Sequence, residues 1–127
     1  MARILIVDDE AEALLFLADY VRSLRHEVAT AGDGLEALEK AKAWNPHLVL
    51  LDVRMPRMDG ITALKKLKEQ NPDIAVLMMT AMREEGVAKE AMQLGAFDYV
   101  TKPVDLARLR MLVEFKLVEV AAEEDGS

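Results

Sequence analysis

The chain has 127 residues, 52% of them apolar and 31% charged, with a formal charge of −7, which suits one globular domain with a real core rather than a disordered or fibrous chain. Its apolar runs are too short to span a membrane, no secretory signal opens it, and no basic cluster could neutralise nucleic-acid phosphates, so a cytoplasmic location with no membrane and no direct nucleic-acid contact is expected. Cysteine is absent, which excludes disulfides and thiol chemistry.

In chain order, Arg3–Val7 reads as a first strand, and Leu14, Leu17, Ala18, Val21 and Leu24 then recur at helical spacing. His26–Ala31 is the second strand, and Leu35, Leu38 and Ala41 mark the second helix, with Trp44 as a boundary aromatic near its end. Leu48–Leu51 is the third strand, followed by a helix carrying Ile61, Leu64 and Leu67. Ile74–Met79 is the fourth strand, followed by Val87, Ala88, Ala91, Met92 and Gly95. Phe97–Thr101 is the fifth strand, and a last helix is predicted from an Asp105 N-cap towards Val120, prolonged through Glu123 in its dimer-forming version. Residues 1–120 thus form the domain, and Ala121–Ser127 reads as a frayed tail or the start of a linker.

Five strand–helix repeats without a hairpin predict an α/β fold: a doubly wound, five-stranded parallel sheet with right-handed crossovers and helices on both faces. In such sheets function gathers beyond the carboxyl ends of the strands. Past the first strand lie Asp8, Asp9 and Glu10; "LVLLDVRMPRMDG" puts Asp52 after the third; Thr80 follows the fourth and Lys102 the fifth. Oxygen ligands without imidazole or thiolate favour a hard cation such as Mg²⁺. Three aspartates are nearly balanced by a divalent ion and Lys102. A carboxylate so placed, with an ammonium and a hydroxyl nearby, can attack phosphorus.

"ILIVDDE", "LVLLDVRMPRMDG", "MMTA" and "AFDYVTKP" resemble the motifs of the bacterial response-regulator receiver domain, in order, over residues 2 to about 120. The resemblance implies the strand order 2-1-3-4-5. It implies Asp52 as acceptor of a phosphoryl group from a sensor histidine kinase or a phosphotransfer protein. Asp8, Asp9, Asp52 and the backbone carbonyl of Arg54 would hold Mg²⁺, Lys102 would contact the phosphoryl oxygens, and Thr80 and Tyr99 would form the switch. It also implies a cis bond before Pro103 and a small residue, Ala81, leaving the approach to Asp52 open. By the same resemblance, Arg54 and Met82 would occupy the family's variable positions flanking the path of attacking water.

Other acidic residues have plainer readings: Glu10 as a helix start, Asp59 with Gly60 as turn chemistry, Asp98 as solvated and Asp105 as a cap. His26 and His47 lie outside the motifs and are read neither as ligands nor as phosphodonors. The methionines, Met78, Met79 and Met92 among them, read as core filler. In the last helix Leu109, Leu112, Val113 and Val120 form one apolar stripe and Met111, Phe115 and Val118 a second, so a homodimer contact is expected there.

An aspartyl-phosphate phosphatase would need a general acid close after the nucleophile, where Val53 and Arg54 stand. A flavin or dinucleotide binder would need a glycine-rich loop after the first strand. The expected role is a phosphorylation-controlled switch rather than an enzyme acting on another substrate. Its changing surface would lie around the fourth helix, fifth strand and fifth helix, in a free-standing receiver or in one joined to an output domain. The likeness is greatest to receivers of enhancer-binding transcription activators.

Overall fold

A computed structural model describes residues 2–55, 58–81 and 85–124. The five strands are β1 (Arg3–Val7), β2 (Glu27–Ala31), β3 (Leu48–Asp52), β4 (Ala75–Ala81) and β5 (Asp98–Lys102). Short apolar runs bounded by polar loops favour strands covered on both faces, and Ile4–Val7, Leu48–Leu51 and Val76–Met79 are completely buried. All neighbours pair in parallel, in the order β2-β1-β3-β4-β5. That is the doubly wound α/β arrangement the sequence predicts.

Five helices make the crossovers: α1 (Ala11–Ser23), α2 (Gly34–Trp44), α3 (Gly60–Gln70), α4 (Glu85–Gln93) and α5 (Leu106–Glu124). Leu17, Ala18 and Val21 of α1 and Leu109 and Val113 of α5 pack on Ile4, Ile6, Leu48, Leu50, Leu77 and Met79. On the other face, Ala37 and Ala41 of α2, Ala63, Leu64 and Leu67 of α3 and Ala91 of α4 meet Leu5, Val7, Val49, Leu51 and Met78. Cutting one of the buried leucines to alanine costs about 2–5 kcal/mol through lost burial and the cavity left behind. Among the described residues no helix is long and apolar enough to cross a membrane.

Two helix readings need correction. Leu35 is 41% exposed, and Gly34, Ala37 and Ala41 form the buried side of α2. Both sets have helical spacing, but small residues let the helix lie closer to the sheet, and Leu38 only borders the core. Met92 is likewise exposed, because α4 buries Ala88 and Ala91 instead. α5 runs on past Val120 to Glu124, in line with its prolonged form. Alanine and glutamate are good helix formers, and no Gly or Pro interrupts before Gly126. Residues 125–127 lie outside the described residues.

Caps behave as their side chains dictate. Asp33 and Asp59 accept the Glu36 and Thr62 amides at the starts of α2 and α3, and Asp105 accepts the Ala107 amide at 2.9 Å. The two histidines stitch the amino-terminal edge of the sheet, far from the strand tips. Nδ1 of His26 accepts the Ala2 amide and Nδ1 of His47 the Arg3 amide, while His26 Nε2 lies 3.2 Å from Glu114 on α5.

Candidate functional site at the strand tips

At the carboxyl edge of the sheet the apolar alternation of three strands runs on into polar residues. Ile4 and Ile6 face α1 and α5, as do Leu48 and Leu50 on β3 and Val100 on β5. Side chains alternate with period two, so the next residues of that parity are Asp8, Asp52 and Lys102. The ladder carries Asp8 as well, since its amide donates to the Ala31 carbonyl at 3.1 Å. Lys102 reaches across β4 to both acids: its Nζ is 3.2 Å from Asp52 Oδ1 and 3.3 Å from Asp8 Oδ2.

Backbone contacts fix the acids. Asp8 Oδ1 accepts the Glu10 amide at 3.0 Å, the turn that opens α1, which leaves Oδ2 for Lys102. Glu10 takes the N-cap position of α1, as its helix-start reading requires. Past Asp52, the Val53 amide donates to the Met79 carbonyl and the Val53 carbonyl accepts the Gly60 amide at 2.7 Å. The Arg54 amide donates to the Asp52 carboxylate.

The electrostatics follow from burial. Asp8 and Asp52 are almost wholly buried, whereas Asp9 is exposed. Burial raises the Asp52 pKa from 3.8 to about 6, helped by the Asp8 charge and opposed by Lys102 and the Arg54 amide. For Lys102, burial opposes the charge, but the Asp52 and Asp8 carboxylates outweigh it and its pKa is raised. One ammonium thus leaves the acids under-compensated.

Asp8, Asp9 and Asp52 each offer a carboxylate oxygen, all within 4.8 Å of one another. Oxygen-only donors, three negative charges and a carboxylate whose pKa burial lifts fit a small hard divalent ion such as Mg²⁺. Thr80, buried, is the penultimate residue of β4, between the strands carrying Asp52 and Lys102. Ala81 and Pro103 are exposed beside it, and the Lys102–Pro103 bond is cis. Tyr99 is half-buried against the core under α3 and α4, on the same sheet face as Thr80 by alternation. Arg54 is exposed; Met82 lies outside the described residues.

The geometry meets its counterpart in a comparison with known proteins: the family model for the response regulator receiver domain matches residues 4–114. The chain belongs to the response-regulator receiver family. It is 43% identical over 112 residues to the regulatory protein AtoC of Escherichia coli, covering 88% of this chain but 24% of AtoC. It is 37% identical over 108 residues to the chemotaxis protein CheY of Thermotoga maritima, covering 84% of this chain and 90% of CheY. The crystal structure of NtrX from Brucella abortus superposes with a TM-score of 0.91 at 32% identity, over 98% of this chain and 29% of NtrX.

Within this receiver, the strand-tip residues Asp8, Asp9, Asp52 and Lys102 singled out in the sequence come together in one cluster. Two positions escaped that reading in part. The backbone carbonyl of Met79 anchors the residue after Asp52, which no side-chain pattern could reveal. Gly60, read as turn chemistry, presses its Cα side against the backbone of Asp52 and Val53. The sequence signal was there, since Asp-Gly opens α2 and α3 alike, but it does not tell a turn from a close approach.

Proposed function

We propose that Asp52 is the phosphoacceptor of this receiver and that its phosphorylation, dependent on Mg²⁺, switches the surface formed by α4, β5 and α5. The observation that supports this reading is the convergence of Asp52, Lys102 and the Asp8–Asp9 pair at one strand edge. An Asp52 oxygen attacks the phosphorus of a phosphohistidine on a sensor kinase or a phosphotransfer protein. The O–P bond forms as the N–P bond breaks, and the departing imidazole nitrogen keeps the electron pair. Lys102 follows the charge from the carboxylates onto the phosphoryl oxygens. Asp8, Asp9, Asp52 and the backbone carbonyl of Arg54 would hold Mg²⁺, which supplies further neutralisation of those oxygens when bound.

The signal leaves the site through Thr80, whose hydroxyl bonds the phosphorylated side chain, and Tyr99, which turns inward as Thr80 moves. Ala81 keeps the approach open, and Pro103 holds Lys102 at the rim. Val53 and Arg54 supply no general acid after Asp52, which favours a switch over a phosphatase. Two settings suit the domain: a longer regulator in kind with the transcriptional regulatory protein ZraR of Klebsiella oxytoca, whose length the chain spans by about a quarter, with transcription as its output, or a free-standing receiver like CheY, whose length it nearly fills. The exposed stripe on α5 supports a homodimer in either setting.

Incubation with acetyl phosphate and Mg²⁺, followed by intact-mass measurement, tests the reading. One phosphoryl group should be added, and Asp52→Asn should add none. Labelling that persists in Asp52→Asn would sink it.

A further inference from the structure

The described glycines differ in what a side chain at each would meet. At Gly32 and Gly86 a Cβ would find open space, and Gly95, with φ +105°, is required for its backbone conformation. Gly60 is a different case. Its φ lies outside the left-handed region, yet a Cβ there would fall 2.3 Å from the Asp52 carbonyl oxygen and 2.7 Å from the Val53 Cα. Both obstructing atoms are backbone, so no rotamer change relieves the overlap.

Something must therefore move, and the neighbours decide what. α3 is held by Ala63, Leu64 and Leu67, all buried in the core. Val53, the residue after Asp52, is held by a hydrogen bond on either side: its amide donates to the Met79 carbonyl at 3.1 Å and its carbonyl accepts the Gly60 amide at 2.7 Å. A longer contact continues the stack, because a Cβ at Gly34 would lie 2.9 Å from Met58 Cβ, in the same loop. The missing side chain at the first residue of α3 thus sets how closely β3 and its following loop can approach the helix.

We infer that Gly60 is a positioning residue for phosphoryl transfer: its bare Cα fixes the Asp52–Val53 peptide, and through it the Asp52 carboxylate and the Arg54 carbonyl. The inference rests on Asp52 being the phosphoacceptor, as proposed above. An alanine at position 60 displaces the nucleophile relative to Lys102 and the Asp8–Asp9 pair. Misplacement of a reacting group by a fraction of an ångström to an ångström slows reactions by about tenfold to a hundredfold.

The test compares Gly32→Ala, Gly34→Ala, Gly60→Ala and, as a stability control on the same helix, Ala63→Gly. For each, the rate of phosphorylation by acetyl phosphate and the Mg²⁺ affinity are measured well below its own melting temperature. Gly32→Ala should match the parent, Gly34→Ala should lose a little, and Gly60→Ala should lose about tenfold or more in rate with weakened Mg²⁺ binding. Parent-like values for Gly60→Ala, or an equal loss in Ala63→Gly, overturn the inference. A parent that is not phosphorylated on Asp52 overturns the underlying reading instead. Should Gly60→Ala not fold, amide signals of the unmodified chain decide. Added Mg²⁺ should shift Gly60 together with Val53 while Gly32 stays in place, and an unmoved Gly60 refutes the positioning role.

Discussion

Lys102 and Asp52 form an ion pair, 3.2 Å between Nζ and Oδ1, although their strands are not neighbours and β4 lies between them. The same ammonium lies 3.3 Å from Asp8, so one cation serves two buried acids. Lys102→Met removes the main influence that lowers the Asp52 pKa and leaves burial and the Asp8 charge unopposed except by the Arg54 amide. The Asp52 pKa should rise further, visible in the carboxyl carbon shift. Phosphorylation by acetyl phosphate should slow by about a hundredfold, the usual effect of losing one donor to a developing anion. Mg²⁺ binding should survive. An unchanged rate would remove Lys102 from the mechanism.

Asp52 also burdens the fold. Its pKa of about 6 against the ordinary 3.8 means that the native state binds a proton more tightly than the unfolded chain. Stability from this group therefore falls as pH rises from about 4 to about 6 and is level above that. Roughly two pKa units correspond to about 3 kcal/mol. In metal-free buffer Asp52→Asn should stabilise the protein by about that amount at pH 7.5, and the gain should fade towards pH 4. Urea titrations at the two pH values check it, and a gain that does not depend on pH would contradict the burial argument.

How much of this was legible beforehand depends on side-chain size and on backbone contacts. β1, β3 and β4 were readable because Ile4–Val7, Leu48–Leu51 and Val76–Met79 are apolar on both faces. Strand order came with the family motifs alone, while the converging acids were legible from their places just past the predicted strands. α2 misled because Leu35 outweighs Gly34 and Ala37 in any hydrophobic pattern, while close packing against the sheet selects the small residues. Met92 misled in the same way. The Met79 carbonyl and the bare Cα of Gly60 act through backbone geometry, which a residue's identity only hints at.

Asp9 is exposed while its two partners are buried. Removing its charge should therefore disturb metal binding far more than folding. Saturating Mg²⁺, at about a hundred times its dissociation constant, should stabilise the parent by about 2.7 kcal/mol. At the same Mg²⁺ concentration Asp9→Asn should show little of that gain, while its metal-free stability should stay within about 0.5 kcal/mol of the parent. Thermal melts with and without Mg²⁺ separate the two. Equal Mg²⁺ stabilisation in both proteins would exclude Asp9 as a ligand.

The second stripe of α5 makes the last prediction. Met111, Phe115 and Val118 are 58%, 69% and 70% exposed and recur at i, i+4 and i+7 along a helix of 19 residues. Leu109 and Val113 already anchor the helix to the sheet, so the exposed stripe is not needed for the fold. If it joins two copies, Phe115 is the aromatic anchor. A charge there should weaken association by about 2 kcal/mol or more, roughly thirtyfold in dissociation constant. Phe115→Glu should thus run as a monomer in gel filtration under conditions where the parent, activated with beryllofluoride and Mg²⁺, runs as a dimer. Its unfolding midpoint should hardly change, since the side chain is exposed. Monomeric behaviour of the activated parent at every concentration tested would sink the dimer reading and leave the stripe for a different partner.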